Sequence, residues 1–307
     1  MLVDPGTLIA ALRMPAETQV DFEPLGEAAA VPERVALGTP GGPERVVLLR
    51  RALDPEASAN HLAVMEALTN RSFPHAPRLL AIVGDVGVEE WIEGVTALAL
   101  VPPTGAAEAA ITALAALHGL PVREGLNWGM QPADLLASDE LPLHRLGFAY
   151  EERDAARGPL EAAREALLHT PFGFTHGDPS AAHVLLAKDV ATLVNFEQAG
   201  YASQFMDIAA FLLTSGLDAP ARRALAAQYA RLRNLDLFAT IDGIDVAGVL
   251  WGIAQQLTLP RRLIEALGDD PASEAIHTAG ARIDRGIRSP SGDHPSAAAI
   301  RAALWPE

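Results

Sequence analysis

The sequence predicts an α+β fold in two lobes. A small antiparallel sheet lobe with one helix covers residues 1–94. A larger, mainly helical lobe covers residues 95–307 and contains a hairpin near its start. Three observations predict this. Residues 17–50 are short apolar runs separated by tight-turn chemistry. The breaker-rich connector LVPPTG is followed by alanine- and leucine-rich segments with helical spacing. The run VLLAKDVATLVNF interrupts those helices as two short strands around Lys188-Asp189. With 307 residues, half of them hydrophobic, the chain is long enough for two lobes rather than one.

The elements follow in order. QVDFEPLG, ERVALG and ERVVLLR read as the first three strands, with GTPGGP turning between the last two. Residues 54–69 read as a helix: Asp54 caps it, Pro55 suits its first position, and Leu62, Met65 and Leu68 give an apolar stripe. RLLAIVG and VGVEEWIEG add two strands. AAEAAITALAALHGL is a long helix buried on much of its surface. After a loop containing Trp128, Asp139 and Glu140, residues 149–169 read as a helix broken at Gly158-Pro159. From Phe205 to about Ile287 the chain is mainly helical, then SPSGDHPSAA forms a surface loop before a short last helix. No internal repeat is present.

Composition excludes several classes of function. There is no cysteine, so disulfides, thiolate metal sites and cysteine nucleophiles are out. A net charge of -16 without a basic stripe argues against nucleic acid as a partner. No basic leader opens the chain and no apolar run is long enough to span a bilayer without polar interruption, so a cytoplasmic protein with no membrane partner is expected. The single lysine, Lys188, leaves arginine as the cation for most roles.

The chemistry concentrates in FTHGDPSAAHVLL and in TLVNFEQAG. Asp178 lies on a loop between a turn and the apolar run Val184-Leu185-Leu186, where a carboxylate is held still at the edge of a cleft. His176 can orient that loop and Gly177 permits a tight approach. The plainer reading is a capped turn in which Asp178 bonds the amide of Ser180. Asn195, Phe196 and Glu197 close the second strand of the hairpin. Asn195 can offer one neutral oxygen to a metal, and Glu197 alternates onto the same side or is an ordinary surface carboxylate. His118, at the end of an apolar helix, reads as a packing or capping histidine, as does His169, and Trp251 reads as helix packing.

The order of these features resembles the aminoglycoside phosphotransferase and choline kinase group, which shares the protein-kinase fold. The resemblance spans about residues 20–290. His176-Gly177-Asp178 matches the family's catalytic loop, and Asp207-Ile208-Ala209 matches a later helix start. EEWIEG resembles the link between lobes, and LAALHGL resembles a leucine-histidine helix end. The resemblance implies ATP and Mg2+ as cofactors, with Mn2+ as an alternative metal, and a small-molecule hydroxyl acceptor. It gives Asp178 the role of orienting or deprotonating that hydroxyl. It gives Arg50 the phosphates, Trp91 and Ile92 the adenine, and Gly26 a place in the turn over the phosphates. Asp207 would hold the loop.

Three positions depart from the family's pattern. His183 stands where the family has asparagine, and Asn195 stands where it has aspartate; both positions hold magnesium there. His61 stands where the family has the glutamate that pairs with the basic residue. Magnesium prefers hard oxygen ligands, and an asparagine carries no charge to offset the cation. A metal site here would draw on His183, Asn195 and Glu197. Metal affinity through a neutral His183 would then collapse below about pH 6. Three functions stay open: a degenerate relative with weakened or lost transfer that binds a nucleotide or metabolite, an active ATP-dependent O-phosphotransferase with an unusual metal site, and a protein-binding or structural module.

Overall fold

A computed structural model describes residues 1–25, 32–39, 41–52, 54–96, 104–121, 146, 148–187, 190–267 and 269–306. Gly26, Trp128, Asp139, Glu140 and the turn at Lys188-Asp189 lie outside the described residues. The fold has a small antiparallel sheet lobe and a larger helical lobe, as the sequence predicts.

The first lobe opens with a short helix, α1 (Pro5–Ala11), capped by Asp4 with Pro5 at its first position. Strands β1 (Gln19–Pro24), β2 (Glu33–Gly38), β3 (Arg45–Arg50), β4 (Leu79–Val83) and β5 (Val86–Glu90) form one antiparallel sheet in the order β1-β2-β3-β5-β4. One face packs Val35, Leu37, Val47, Leu49, Val86 and Val88 with Leu8 of α1. The other face meets α2 (Pro55–Asn70), which Asp54 caps and Pro55 opens. Val64, Met65 and Leu68 of α2 are buried, whereas Leu62 is only partly so. One turn earlier the buried residues are polar, Asn60 and His61.

The short strand β6 (Val95–Thr96) pairs with β8 (Val184–Ala187), which pairs with β9 (Val190–Leu193) in the register Val184↔Leu193. Helix α3 (Thr104–His118) has alanines and leucines at helical spacing, and its Ile111, Leu114 and Leu117 are fully buried. Helix α4 (Tyr150–Leu168) is continuous through Pro159, so the expected break does not occur. Glu152 accepts from the Ala149 backbone N–H at 2.7 Å. Ala156, Leu160, Ala163 and Leu167 bury one stripe running past the proline. Burial of that stripe outweighs the missing backbone bond.

Strand β7 (Phe172–Thr175) leads into the loop His176-Gly177-Asp178 and pairs with β10 (Gly200–Ser203). Helices α5 (Gln204–Thr214), α6 (Ala219–Arg233), α7 (Leu237–Leu267), α8 (Asp269–Arg288) and α9 (Pro295–Leu304) build the rest of the lobe. Every residue of α5 is buried, so it is the axis around which the lobe packs. The segment Leu237–Leu257 is apolar and long enough to cross a membrane by length and composition alone. However, 72% of its most apolar window is buried inside the fold, so that apolarity serves the core.

Candidate active site

The loop His176-Gly177-Asp178 hangs from one buried carboxylate. Asp207, in the first turn of α5, accepts from the backbone N–H of His176 at 2.7 Å and of Gly177 at 3.0 Å. It also accepts from His118 Nε2 at 2.9 Å. His118 Nδ1 lies 2.8 Å from the Tyr229 hydroxyl, so the end of α3 is tied to α6 through the same cluster. Burial pushes the Tyr229 phenol well above its ordinary range, and its proton stays available to that bond. His118 is thus a buried structural link, in keeping with the sequence reading.

Gly177 is required twice over. Its φ is +85°, which L side chains rarely adopt, and a Cβ there would sit 1.9 Å from the carbonyl oxygen of Gln198. His176 is fully buried and donates from Nε2 to the Val194 carbonyl at 3.0 Å, binding the loop to the end of β9. Burial lowers its pKa to about 4, against the pull of Asp207. Its Nδ1 has no hydrogen-bond partner, and its ring packs 4.5 Å from that of Phe196.

Asp178 is nearly buried, at 6% exposure. Its carbonyl accepts from His183 Nδ1 at 2.8 Å, and its carboxylate lies 3.7 Å from the same nitrogen. Because Nδ1 carries that proton, Nε2 of a neutral His183 is an acceptor. Asn195 Nδ2 is 3.1 Å from it. The other end of the Asn195 amide, Oδ1, accepts from Arg50 Nη1 at 3.4 Å. Turning the amide over would face its NH2 to the guanidinium and its oxygen to a lone pair, so this orientation is the one the neighbours allow. The result is one directed chain: Arg50 to Asn195, Asn195 to His183, His183 to the Asp178 backbone. Asn195 stands in the left-handed region, at φ 68° and ψ 68°, which asparagine tolerates better than most residues.

The structure therefore brings Asp178, His176, His183, Asn195 and Arg50 into one cluster. Glu197 lies in the short turn Phe196–Gln198, where its carbonyl accepts from Asn60 Nδ2 at 3.0 Å. Its carboxylate makes no hydrogen bond to His183 or Asn195 among the described residues. Trp91 and Ile92 lie in the link between β5 and β6. The indole of Trp91 donates to Glu93 at 2.7 Å, and Arg34 stacks 5.6 Å from its ring centre. Gly26 is outside the described residues.

Sequence reasoning missed Glu89. It is 1% exposed, with Oε1 2.8 Å from His61 Nε2 and 3.6 Å from Arg50 Nε. The signal was available in strand register. Arg50 pairs with Gly87 and Leu48 pairs with Glu89, so Arg50 and Glu89 are diagonal neighbours on one face. Burial pushes the Glu89 carboxyl up, but the hydrogen bond and electrostatic attraction from His61, and then the positive charge of Arg50, outweigh it and hold it below its ordinary value.

With this geometry in hand, comparison with known proteins is direct. Residues 22–274 match the model of the phosphotransferase enzyme family. The chain belongs to that family. A search of curated proteins gives no significant match. Among solved structures, this phosphotransferase-family chain is similar to an ethanolamine kinase of Plasmodium vivax, at 12% identity and TM-score 0.61 over 87% of this chain and 81% of the other. It is similar to a choline/ethanolamine kinase family protein of Mesorhizobium loti, at 16% identity and TM-score 0.60 over 99% of both chains. It is also similar to an aminoglycoside phosphotransferase of Alicyclobacillus acidocaldarius, at 15% identity and TM-score 0.59 over 98% of this chain and 95% of the other. At these identities the likeness speaks for the shared kinase-like fold.

Proposed function

We propose that this chain is a relative of the small-molecule kinases that binds a nucleotide or a metabolite in its interlobe cleft, with phosphoryl transfer weakened or lost. The observation that carries this reading is the directed chain from Arg50 through Asn195 and His183 to Asp178. Transfer of a phosphoryl group depends on metal ions to neutralise developing charge. The two positions that would hold them are a neutral amide and an imidazole, and each is already spent on a protein partner. Among the described residues, no group of three or more histidine, aspartate or glutamate side chains is set to hold a metal. Such a donor set suits Mg2+ poorly, because imidazole is a softer donor and the amide oxygen carries no charge to offset the cation. It suits Mn2+ little better, although imidazole is less foreign to that ion.

In this reading Arg50, 15% exposed at the end of β3, would meet the ATP phosphates, and Trp91 with Ile92, in the link after β5, would line the adenine. Asp178 on its anchored loop favours a second reading, an active O-phosphotransferase for a small hydroxylated molecule, in which Asp178 takes the hydroxyl proton.

Calorimetric titration with ATP, alone and with Mg2+ or Mn2+, separates the two. The first reading expects ATP binding that is indifferent to either metal. Micromolar binding only with metal, followed by turnover in an acceptor screen that Asp178→Asn abolishes, would establish the second. Absence of binding in all three conditions would move the protein to the partner-binding class.

A further inference from the structure

Arg50 is held from an unexpected side. Its Nε is buried and has no hydrogen-bond partner among the described residues, and the acceptor that faces it is Glu89 Oε1, at 3.6 Å. Glu89 comes from β5, the strand beside Arg50 in the sheet, not from α2. The α2 residue at this level is His61, which is 2% exposed. Its Nδ1 accepts from the backbone N–H of Phe196 at 3.1 Å, so its remaining proton is on Nε2 and is donated to Glu89 at 2.8 Å.

We infer that Glu89 and His61 are the positioning pair for Arg50: the carboxylate has moved from the helix to the sheet, and the helix supplies a neutral tether in its place. The pair holds the Nε edge of the guanidinium. Its Nη1 corner is thereby turned toward Asn195 and the cleft, where a phosphate would bind. Through Phe196 the same tether joins α2 to the turn that carries Asn195, so Arg50 and Asn195 are linked by hydrogen bonds closed by the 3.6 Å ion pair between Glu89 and Arg50. A helix glutamate would not substitute, because it could not accept from the Phe196 amide while also donating to Glu89. This inference rests on the nucleotide reading above, in which Arg50 meets phosphate.

The test uses the whole chain, labelled with 15N in arginine, and two variants. Glu89→Gln keeps the shape and removes the charge. His61→Leu keeps both charges and removes the tether. In the free wild-type protein the Nε–H of Arg50 is expected to exchange slowly with water and in Glu89→Gln rapidly. Affinity for ATP is expected to fall about tenfold in Glu89→Gln and by a smaller factor in His61→Leu, with affinity for adenosine unchanged in both, because only phosphate meets Arg50. Unchanged or tightened ATP binding in Glu89→Gln would overturn the inference, since Glu89 would then be a competitor for Arg50. Equal losses for ATP and adenosine would also overturn it, as the mark of a merely structural role. A wild-type protein that binds neither ligand would overturn the nucleotide reading and the phosphate half of this one. Slow exchange that Glu89→Gln abolishes would still assign Glu89 as the support of Arg50.

Discussion

The two ends of the catalytic segment are built differently. The end at His176-Gly177 hangs from Asp207, a charged carboxylate that is 1% exposed and accepts three hydrogen bonds. The end at His183-Asn195 is partly exposed and joined by neutral groups, an imidazole and an amide, in a chain that reaches Arg50. The first end fixes where the loop is. At the second, positions 183 and 195 carry no carboxylate, and the charge nearest His183 is that of Asp178, 3.7 Å from its Nδ1. The residues that fix the frame of the loop and the residues at its polar end are therefore different ones, and the two ends can be altered separately.

The comparison can be broken most severely at Gly177. Gly177→Ala is expected to cost more than about 3 kcal/mol of unfolding free energy, or to prevent folding, because it adds backbone strain to a direct clash with Gln198. Next comes Asp207→Ala, expected to cost about 3 to 5 kcal/mol in denaturant unfolding through loss of the buried carboxylate and the donors it satisfied. Asn195→Ala, measured the same way, is expected to cost only about 1 kcal/mol, since its bonds are partly exposed and one is 3.4 Å long. Equal costs for the two would erase the distinction between the ends.

A pH profile of stability sharpens it further. His176 has a folded-state pKa of about 4 against an ordinary value of 6.5. As the pH falls from 6.5 to 4, the unfolded chain takes up a proton that the folded chain refuses, so stability drops; below about 4 both states are protonated and this contribution is flat. The loss across that window is about 3 kcal/mol. His176→Gln is expected to remove most of this slope. Glu89 acts lower down: its depressed pKa adds stability above its ordinary 4.5, which is lost as the pH falls through its folded-state value. Glu89→Gln is therefore expected to flatten the profile only below about pH 4.5.

Much of this was legible in the sequence because it is local. Asp54-Pro55 announced α2 through cap and first-turn chemistry, and the same pair at Asp4-Pro5 announced α1, which went unread. The loop His176-Gly177-Asp178 and the hairpin after it were visible in spacing alone. Pro159 misled, because the buried stripe on either side of it outweighs one lost backbone bond. What spacing could not carry was contact between distant segments. Arg50 and Asn195 meet across 145 positions, and Glu89 joins them only through the register of β3 against β5. His61 looked like an absent glutamate; its partner shows that the charge was moved rather than deleted.

In the proposed function, the amide and imidazole at positions 195 and 183 uncouple nucleotide binding from metal. The most direct test compares the wild-type protein with the pair His183→Asn and Asn195→Asp, titrating each with ATP in the presence and absence of Mg2+. The account predicts that Mg2+ leaves wild-type affinity unchanged and tightens ATP binding to the double variant by about tenfold or more. Strong Mg2+ dependence in the wild type, or none gained by the double variant, would contradict it.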